Sequence, residues 1–372
     1  MDFSLTEAQR ELRDLAHKIL DDRMTAAHLK ASDADEEWYD LDTWQELAKA
    51  NLLAVAIPEQ HGGLGLGFLD LCFVLQEIGR SVAPLPAVPC LVGAALPIAR
   101  FGTEEQCAVL AQVATGDVIL TAALQEYGTL PEEPRTVATR TGSGWTLDGT
   151  KTGVPAFNAA EAIVVPARVD DGGIVVFLVP ADAAGVVAQR QETMNHEPQF
   201  EVRLDAVGLP ASAVLGSEEL GREILDWTLA RVTVAMCAVV SGAADRAMRL
   251  TAQYTCDRKQ FDRAIGTFQA VGQRMADCFI DDQAIELTML QAATHLDEGR
   301  EVPTEVATAK FWACEGGSRI GHAALHVHGG ISIDLDYPIH RYFLWIKQHE
   351  FALGSGTRQL VRIGEVLAAE PA

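Results

Sequence analysis

Positive charge is scarce in this sequence. Lysine and arginine number 29 against 52 aspartates and glutamates, a net charge of -23 over 372 residues. That deficit argues against nucleic acid, whose binding needs a basic surface, and against an anionic membrane surface. A small anionic ligand stays admissible, because a few local cations can act against the overall field. The seven cysteines, Cys72, Cys90, Cys107, Cys237, Cys256, Cys278 and Cys314, are odd in number, scattered, and form no CxxC. They suit reduced, mostly buried thiols in a reducing cytoplasm. The longest apolar runs are broken by Gly and Pro before they could span a bilayer. "MDFSLTEAQRELRDL" puts acids early and offers no apolar stretch, so no signal peptide is expected. GxSxG, P-loop and HExxH patterns are missing, and "HGGLGLG" (61 to 67) lacks the GxGxxG spacing.

Hydrophobic residues supply 48% of the chain and charged ones 22%, which makes a globular protein with a large core. Three textures follow one another. Residues 1–116 read mainly as helices: Thr6-x-x-Gln9 is a capping box, "DTWQELAKANLLAVAIP" an amphipathic helix expected to run to Pro58, and Phe68 to Val82 a further one. Residues 117–216 read as short β-branched runs ("DVILTAAL", "GWTLDGTKTGV", "GGIVVFLVP", "QFEVRLDAVGLP") punctuated by Gly, Pro and Asp, suiting a small antiparallel barrel or sandwich. Residues 217–372 return to helical periodicity. A long helix here has Gly242 as its one breaker and is apolar on more than one face, as buried helices are. Further helices are expected near 268–298, 304–327, 338–351 and 356–369.

One stretch carries a chemical signature. "DRKQFDRAIGTFQAVGQRMAD" (257 to 277) groups two cations, Arg258 and Lys259, with Phe261, a Gly break and Gln269, ahead of a helix marked by Phe268, Val271, Met275 and Phe279. A cation, a ring and an amide at a turn suit a phosphate or a flat cofactor; an Arg-Lys pair alone would be an ordinary solvated turn. His326-x-His328 lacks a third ligand nearby, so no metal site is expected. Trp227, Trp312 and Trp345 sit in apolar helical contexts and read as core.

The order of these textures, with "IPEQHGGLGLG" (57 to 67), "RKQFDRAIGTFQAVGQRMAD" (258 to 277), "HVHGGISIDLDYPIHRYF" (326 to 343) and "GTRQLVRIG" (356 to 364), resembles the acyl-CoA dehydrogenase family over essentially the whole chain. The resemblance implies a helical N-terminal domain, a central antiparallel β domain and a C-terminal four-helix bundle. It implies FAD as cofactor and an acyl-CoA thioester as substrate, desaturated between the α and β carbons, with electron-transfer flavoprotein as the usual acceptor. In that family each flavin is shared: one subunit encloses the ring, and its neighbour supplies contacts to the ADP half.

Set residue by residue against that pattern, the neighbour's half is kept. Arg258 and Phe261 match an RxxF pair, Gln269 the following FQ, and Gly329-Gly330 a Gly-Gly turn whose missing Cβ lets a ligand approach backbone. His326 stands where the family usually has Gln and can still hydrogen-bond. The enclosing half departs. A T-E-P-x-A-G-S-D type stretch has "LTAALQEYGTLPEEP" as its counterpart, and Lys151 is followed by "TGVPAFN" where the family packs an aromatic residue on the flavin. Both family positions for the catalytic glutamate are empty of acid: Ser355 precedes Gly356-Thr357, and Ala230 precedes Arg231. A serine hydroxyl cannot act as a general base at neutral pH.

The resemblance therefore implies a silent subunit of a heteromeric α2β2 enzyme, paired with a homologous catalytic chain and similar to bacterial enzymes acting on steroid side-chain CoA thioesters. Two alternatives stay open at this point. One is an active homotetramer using an unusual base such as Glu350; the other is a structural or regulatory subunit without flavin.

Overall fold

The computed structural model describes residues 3–142, 144–170 and 172–369. The chain divides into two compact units, one helical (Met1–Asp35, Phe68–Pro84, Thr233–Ala372), the other built around a sheet (Glu36–Gly67, Leu85–Val232).

The helical unit contains α1 (Glu7–Arg23), α2 (Ala26–Ser32) and α4 (Phe68–Ser81). It also holds the C-terminal part of α8 (Gly221–Asp257), then α9 (Gln269–Asp297), α10 (Pro303–His328), α11 (Ile339–Phe351) and α12 (Gly356–Ala369). The Thr6 capping box forms: the Thr6 hydroxyl accepts from the Gln9 amide at 3.2 Å, and the Gln9 side chain accepts from the Thr6 amide at 3.1 Å. Of the 18-residue apolar window in the long helix, 78% is buried inside the molecule, so its hydrophobicity is spent on the core. Gly242 is what lets α4 cross it. A Cβ there would lie 1.8 Å from the Gln76 carbonyl oxygen, and one on Gly79 would lie 1.9 Å from the Val239 carbonyl oxygen. The two helices meet backbone to backbone through reciprocal glycines.

The second unit opens with α3 (Leu41–Lys49), which ends eight residues before the position its sequence suggests. Asn51 takes φ +60°, a left-handed conformation that asparagine tolerates, and the Leu52 amide turns back to the Leu47 carbonyl at 2.9 Å. A π-helical turn (Val88–Ala95) runs into α5 (Leu96–Phe101), followed by α6 (Glu104–Cys107) and α7 (Leu110–Ala114).

Seven strands then form one sheet: β1 (Leu120–Ala122), β2 (Val137–Thr141), β3 (Gly144–Pro155), β4 (Ala162–Arg168), β5 (Ile174–Pro180), β6 (Val186–Gln191) and β7 (Gln199–Pro210). Their order is β1-β4-β2-β3-β7-β6, with β5 on β4. The pairing is mostly antiparallel, but β1 runs parallel to β4 (Leu120 opposite Ala162), a partnership between distant segments that alternation within one strand cannot disclose. Trp145, Leu147, Val154, Phe177, Val202 and Val207 fill the sheet's core. The Trp145 and Phe177 rings meet edge to face at 5.5 Å.

Candidate functional site

The stretch singled out in the sequence is a β-hairpin between two long helices. β8 (Lys259–Gln260) pairs with β9 (Arg263–Ala264), and the turn residues Phe261 and Asp262 both have positive φ, +53° and +64°. That is a primed hairpin turn, which normally selects Asn-Gly or Asp-Gly. Phe261 is 87% exposed at its tip. Arg258 is exposed at the end of α8, its amide bonded to the Tyr254 carbonyl at 2.9 Å and its carbonyl accepting from the Ile265 amide at 2.8 Å. The guanidinium of Arg263 lies 4.1 Å from the centre of the Phe268 ring, which meets Phe261 edge-on at 6.2 Å. Gln269 is the exposed first residue of α9.

The end of α10 joins this group through Tyr254, one turn before Arg258. The Tyr254 ring stacks on His328 at 4.4 Å, and its hydroxyl reaches the His328 carbonyl at 3.4 Å. His328 is buried. Its Nδ1 faces the Ala324 carbonyl at 2.8 Å and its Nε2 the Tyr337 hydroxyl at 3.0 Å. Burial lowers its pKa, so the ring is a neutral strut with both nitrogens used inside the fold, not half of a metal pair with His326. Just beyond, Gly329 takes φ +64° and ψ -138°, and a Cβ on either Gly329 or Gly330 would meet nothing within 4 Å. Open space, not crowding by the fold, faces this turn. His326 is exposed one turn earlier, and Arg274 of α9 contacts its Nδ1.

All six sequence-predicted binding residues, Arg258, Phe261, Gln269, His326, Gly329 and Gly330, thus belong to the helical unit. They cluster around the hairpin, the start of α9 and the end of α10.

Neither position carries a carboxyl of its own, although one approaches the first: a Cβ on Gly356, next to Ser355, would lie 2.8 Å from Glu315 Oε1 of α10. Ser355 ends the turn before α12; its carbonyl accepts from the Gln359 amide at 3.2 Å, while Gly354 takes φ +97°. Glu350 is tied up: its carboxylate accepts from Lys347 Nζ at 2.6 Å, and both side chains are 15% exposed. Ala230 lies on α8 beside Arg231, which is buried and holds its guanidinium 3.6 Å from the Trp227 ring centre.

The sheet unit carries two features that sequence reasoning missed. Lys151 is fully buried and donates to Glu126 at 2.6 Å and to the Pro166 carbonyl at 2.7 Å. Glu126 also accepts from the Thr136 hydroxyl at 2.7 Å and from the Arg135 amide at 2.7 Å. Burial raises the Glu126 pKa, but the Lys151 charge and these bonds outweigh it and hold the carboxyl below its usual range. Around this pair the polar groups satisfy one another. Gln191 accepts from the Gly153 amide at 2.9 Å and donates to the Tyr127 hydroxyl at 2.7 Å, and the Thr152 amide bonds the Gln125 carbonyl at 2.9 Å. The second feature is Glu197, whose pKa is pushed up to about 7 by burial, against Tyr39 at 3.4 Å and Gln199 at 3.2 Å. Twenty-five residues separate Lys151 from Glu126, and a far longer span separates Tyr39 from Glu197. Neither spacing announces a contact; only the fold makes one.

A helical N-terminal segment, a central sheet and a C-terminal helical bundle, with a Gly-Gly turn and a cationic hairpin together in the bundle, define a class. The acyl-CoA dehydrogenase N-terminal domain matches residues 6–117 and the C-terminal domain residues 220–368. The chain belongs to the acyl-CoA dehydrogenase family, a family of oxidoreductases. Among individual proteins, acyl-CoA dehydrogenase FadE27 of Mycobacterium tuberculosis is 41% identical over the full length of both chains. Two solved structures are also similar. One is the Tcur3481-Tcur3483 steroid ACAD (TM-score 0.92, 42% identity, 97% of this chain and 98% of that one). The other is the ChsE4-ChsE5 complex from Mycobacterium tuberculosis (TM-score 0.95, 40% identity, all of both chains).

Proposed function

We propose that this chain is the non-catalytic subunit of a heteromeric, cytoplasmic FAD-dependent acyl-CoA dehydrogenase of the α2β2 type. It supplies the ADP-side half of a flavin site whose ring and base belong to a homologous partner. The observation that carries this reading is the asymmetry of the chain. The helical unit presents a donor set facing open space, while the two positions for the base hold Ser355 and Ala230, and Glu350, the acid nearest Ser355 along the sequence, is bound to Lys347.

The donor set fits the ADP half of FAD. Arg258 offers a charged fork for a phosphate oxygen, Gln269 an amide, and Gly329-Gly330 backbone that no Cβ shields. The sheet unit does not fit a flavin ring equally well. Gly153 at φ +58° has its amide occupied by Gln191, and the following Pro155 has no amide hydrogen to donate. When bound, FAD accepts the substrate's β-hydrogen as hydride. What this chain contributes is the orientation of that cofactor and, through a baseless pocket of its own, the absence of a competing site.

The Tcur3481-Tcur3483 steroid ACAD and the ChsE4-ChsE5 complex support a homologous partner, and the first supports a steroid CoA thioester as the substrate class; electron-transfer flavoprotein is the acceptor that the family resemblance implies. The deciding experiment is flavin absorbance of the chain purified alone and purified after co-expression with a homologous dehydrogenase chain. A colourless chain alone and about one FAD per heterodimer together is the expected result. One FAD per chain in the isolated protein would overturn it and revive an active homotetramer.

A further inference from the structure

A groove of about 650 Å³ runs between α9 and α10, lined by Arg274, Asp277, Asp281, Arg319, His322 and His326 among others. Its charges do different things. Arg319 is committed, donating twice to Asp281 at 2.8 and 2.5 Å. His322 Nδ1 bonds the Ser318 carbonyl of its own helix at 2.8 Å. Arg274 is exposed and meets no carboxylate within ion-pair distance among the described residues; it contacts His326 Nδ1. A guanidinium has no lone pair, so it must be the donor and His326 Nδ1 the acceptor. That fixes the tautomer: the remaining ring proton sits on Nε2, and the imidazole presents an N–H donor on its other edge.

The contact uses one of the five N–H groups of Arg274 and leaves the others available. His326 lies one turn before Gly329, and Arg274 lies five residues after Gln269, so the pair adjoins the donor set described above. The groove as a whole is not strongly cationic, because Asp277 and Asp281 offset the two arginines. An anion would be held here by direct bonds and not drawn in by a long-range field.

We propose that Arg274 is a further binding residue of this site. It acts as a pair with His326: Arg274 orients the ring so that Nε2–H donates, and its own free N–H groups take an oxygen of the diphosphate in the ADP group. This rests on the reading under Proposed function and adds to it a residue that the family pattern did not point to. The replacement of the usual amide by histidine then has a physical partner: an amide carries its own donor, whereas an imidazole needs its second nitrogen fixed to guarantee one.

FAD and coenzyme A both contain an ADP group, and the test must separate them. Arg274→Ala, Arg274→Lys, His326→Gln and Arg258→Ala are made in the co-purified heteromer, with assembly checked by gel filtration. Flavin is stripped, and rebinding of FAD is followed by flavin fluorescence; the KM for an acyl-CoA is measured on the reloaded complex. Losing hydrogen bonds to a charged group should weaken FAD binding roughly tenfold to a hundredfold in Arg274→Ala. Arg274→Lys should lose less, since an ammonium keeps the charge but not the fork, and its mild change at an exposed position covers the case in which alanine disturbs assembly. In the His326→Gln background the Arg274→Ala loss should be smaller, because an amide donates without its second nitrogen being fixed by Arg274.

Weakened FAD binding in Arg258→Ala with none in either Arg274 variant overturns the role of Arg274 and leaves the shared-flavin reading standing. No loss in any variant overturns both. Unchanged FAD binding with a raised KM for acyl-CoA in Arg274→Ala assigns the ADP group to the substrate and sinks the flavin assignment.

Discussion

At the scale of single residues, the clearest case is the Lys151–Glu126 pair. Both side chains are out of water, and each charge is tolerable only because of the other. Lys151→Ala would leave Glu126 ionised, buried and short of its main partner. A loss of roughly 3–5 kcal/mol is expected, read as a lowered midpoint in chemical denaturation. The double variant Lys151→Met with Glu126→Gln should recover much of it. The sequence showed the residues after Lys151 as a departure from a flavin-facing pattern; the structure shows the lysine itself in a structural ion pair. Its role was illegible because the bulge between Lys151 and Val154 and the register against β7 set which way the lysine turns. Ser355 was legible, since only residue identity mattered. Ser355→Glu in the isolated chain should leave dehydrogenase activity at background, because a base alone does not create a ring pocket; activity above that would show that the sheet unit can still seat a flavin.

Helices make the argument at the next scale. The α4–α8 crossing depends on Gly79 and Gly242, each within about a bond length and a half of the opposing carbonyl if given a Cβ. Gly242→Val should drive the helices apart and abolish soluble expression or lower Tm steeply. Gly364→Ala, in α12 where a Cβ meets nothing, should instead stabilise by up to about 1 kcal/mol through helix propensity. The sequence marked Gly242 only as an interruption; that it was a contact required knowing which helix lay across it.

The same bundle holds a titrating carboxyl. Asp282 of α9 is buried and pushed up to about 7 by desolvation and by the nearby Asp245 and Glu286, with Arg249 opposing. A carboxyl with a raised folded pKa binds its proton more tightly in the native state. Its contribution to stability is therefore full below about pH 4 and is lost as pH climbs to 7. Asp282→Asn should raise Tm at pH 8, with the advantage shrinking toward pH 5, in a thermal melt series across that range. His349 runs the other way. Burial lowers it to about 4, so its contribution is full above pH 6.5 and is lost as pH falls toward 4.

For the whole molecule, the order of helices, sheet and helices was readable from period and breakers, because burial patterns are written locally. The family followed from four motifs in order. What was not readable is how the chain groups in space: α1, α4 and the C-terminal helices form one unit although more than a hundred residues lie between α4 and the later helices. Proximity of that kind is a property of the folded chain, not of any window in it. The donor set around Arg258 was legible for the opposite reason. Two of its three pieces, the hairpin and the start of α9, are contiguous, and the third carries a Gly-Gly signature of its own.

The hairpin tip has a consequence for how the protein lives. Phe261 holds a left-handed backbone that a bulky side chain adopts only at a cost on the order of 1–3 kcal/mol, with its ring almost wholly in water. A chain that had to survive alone would gain by shedding both burdens. Phe261→Gly should accordingly raise the melting temperature of the solitary chain and, if the chain pairs as proposed above, shorten the lifetime of that complex. On the heteromeric reading proposed above, the residue would be a debt carried by the free chain and discharged on assembly.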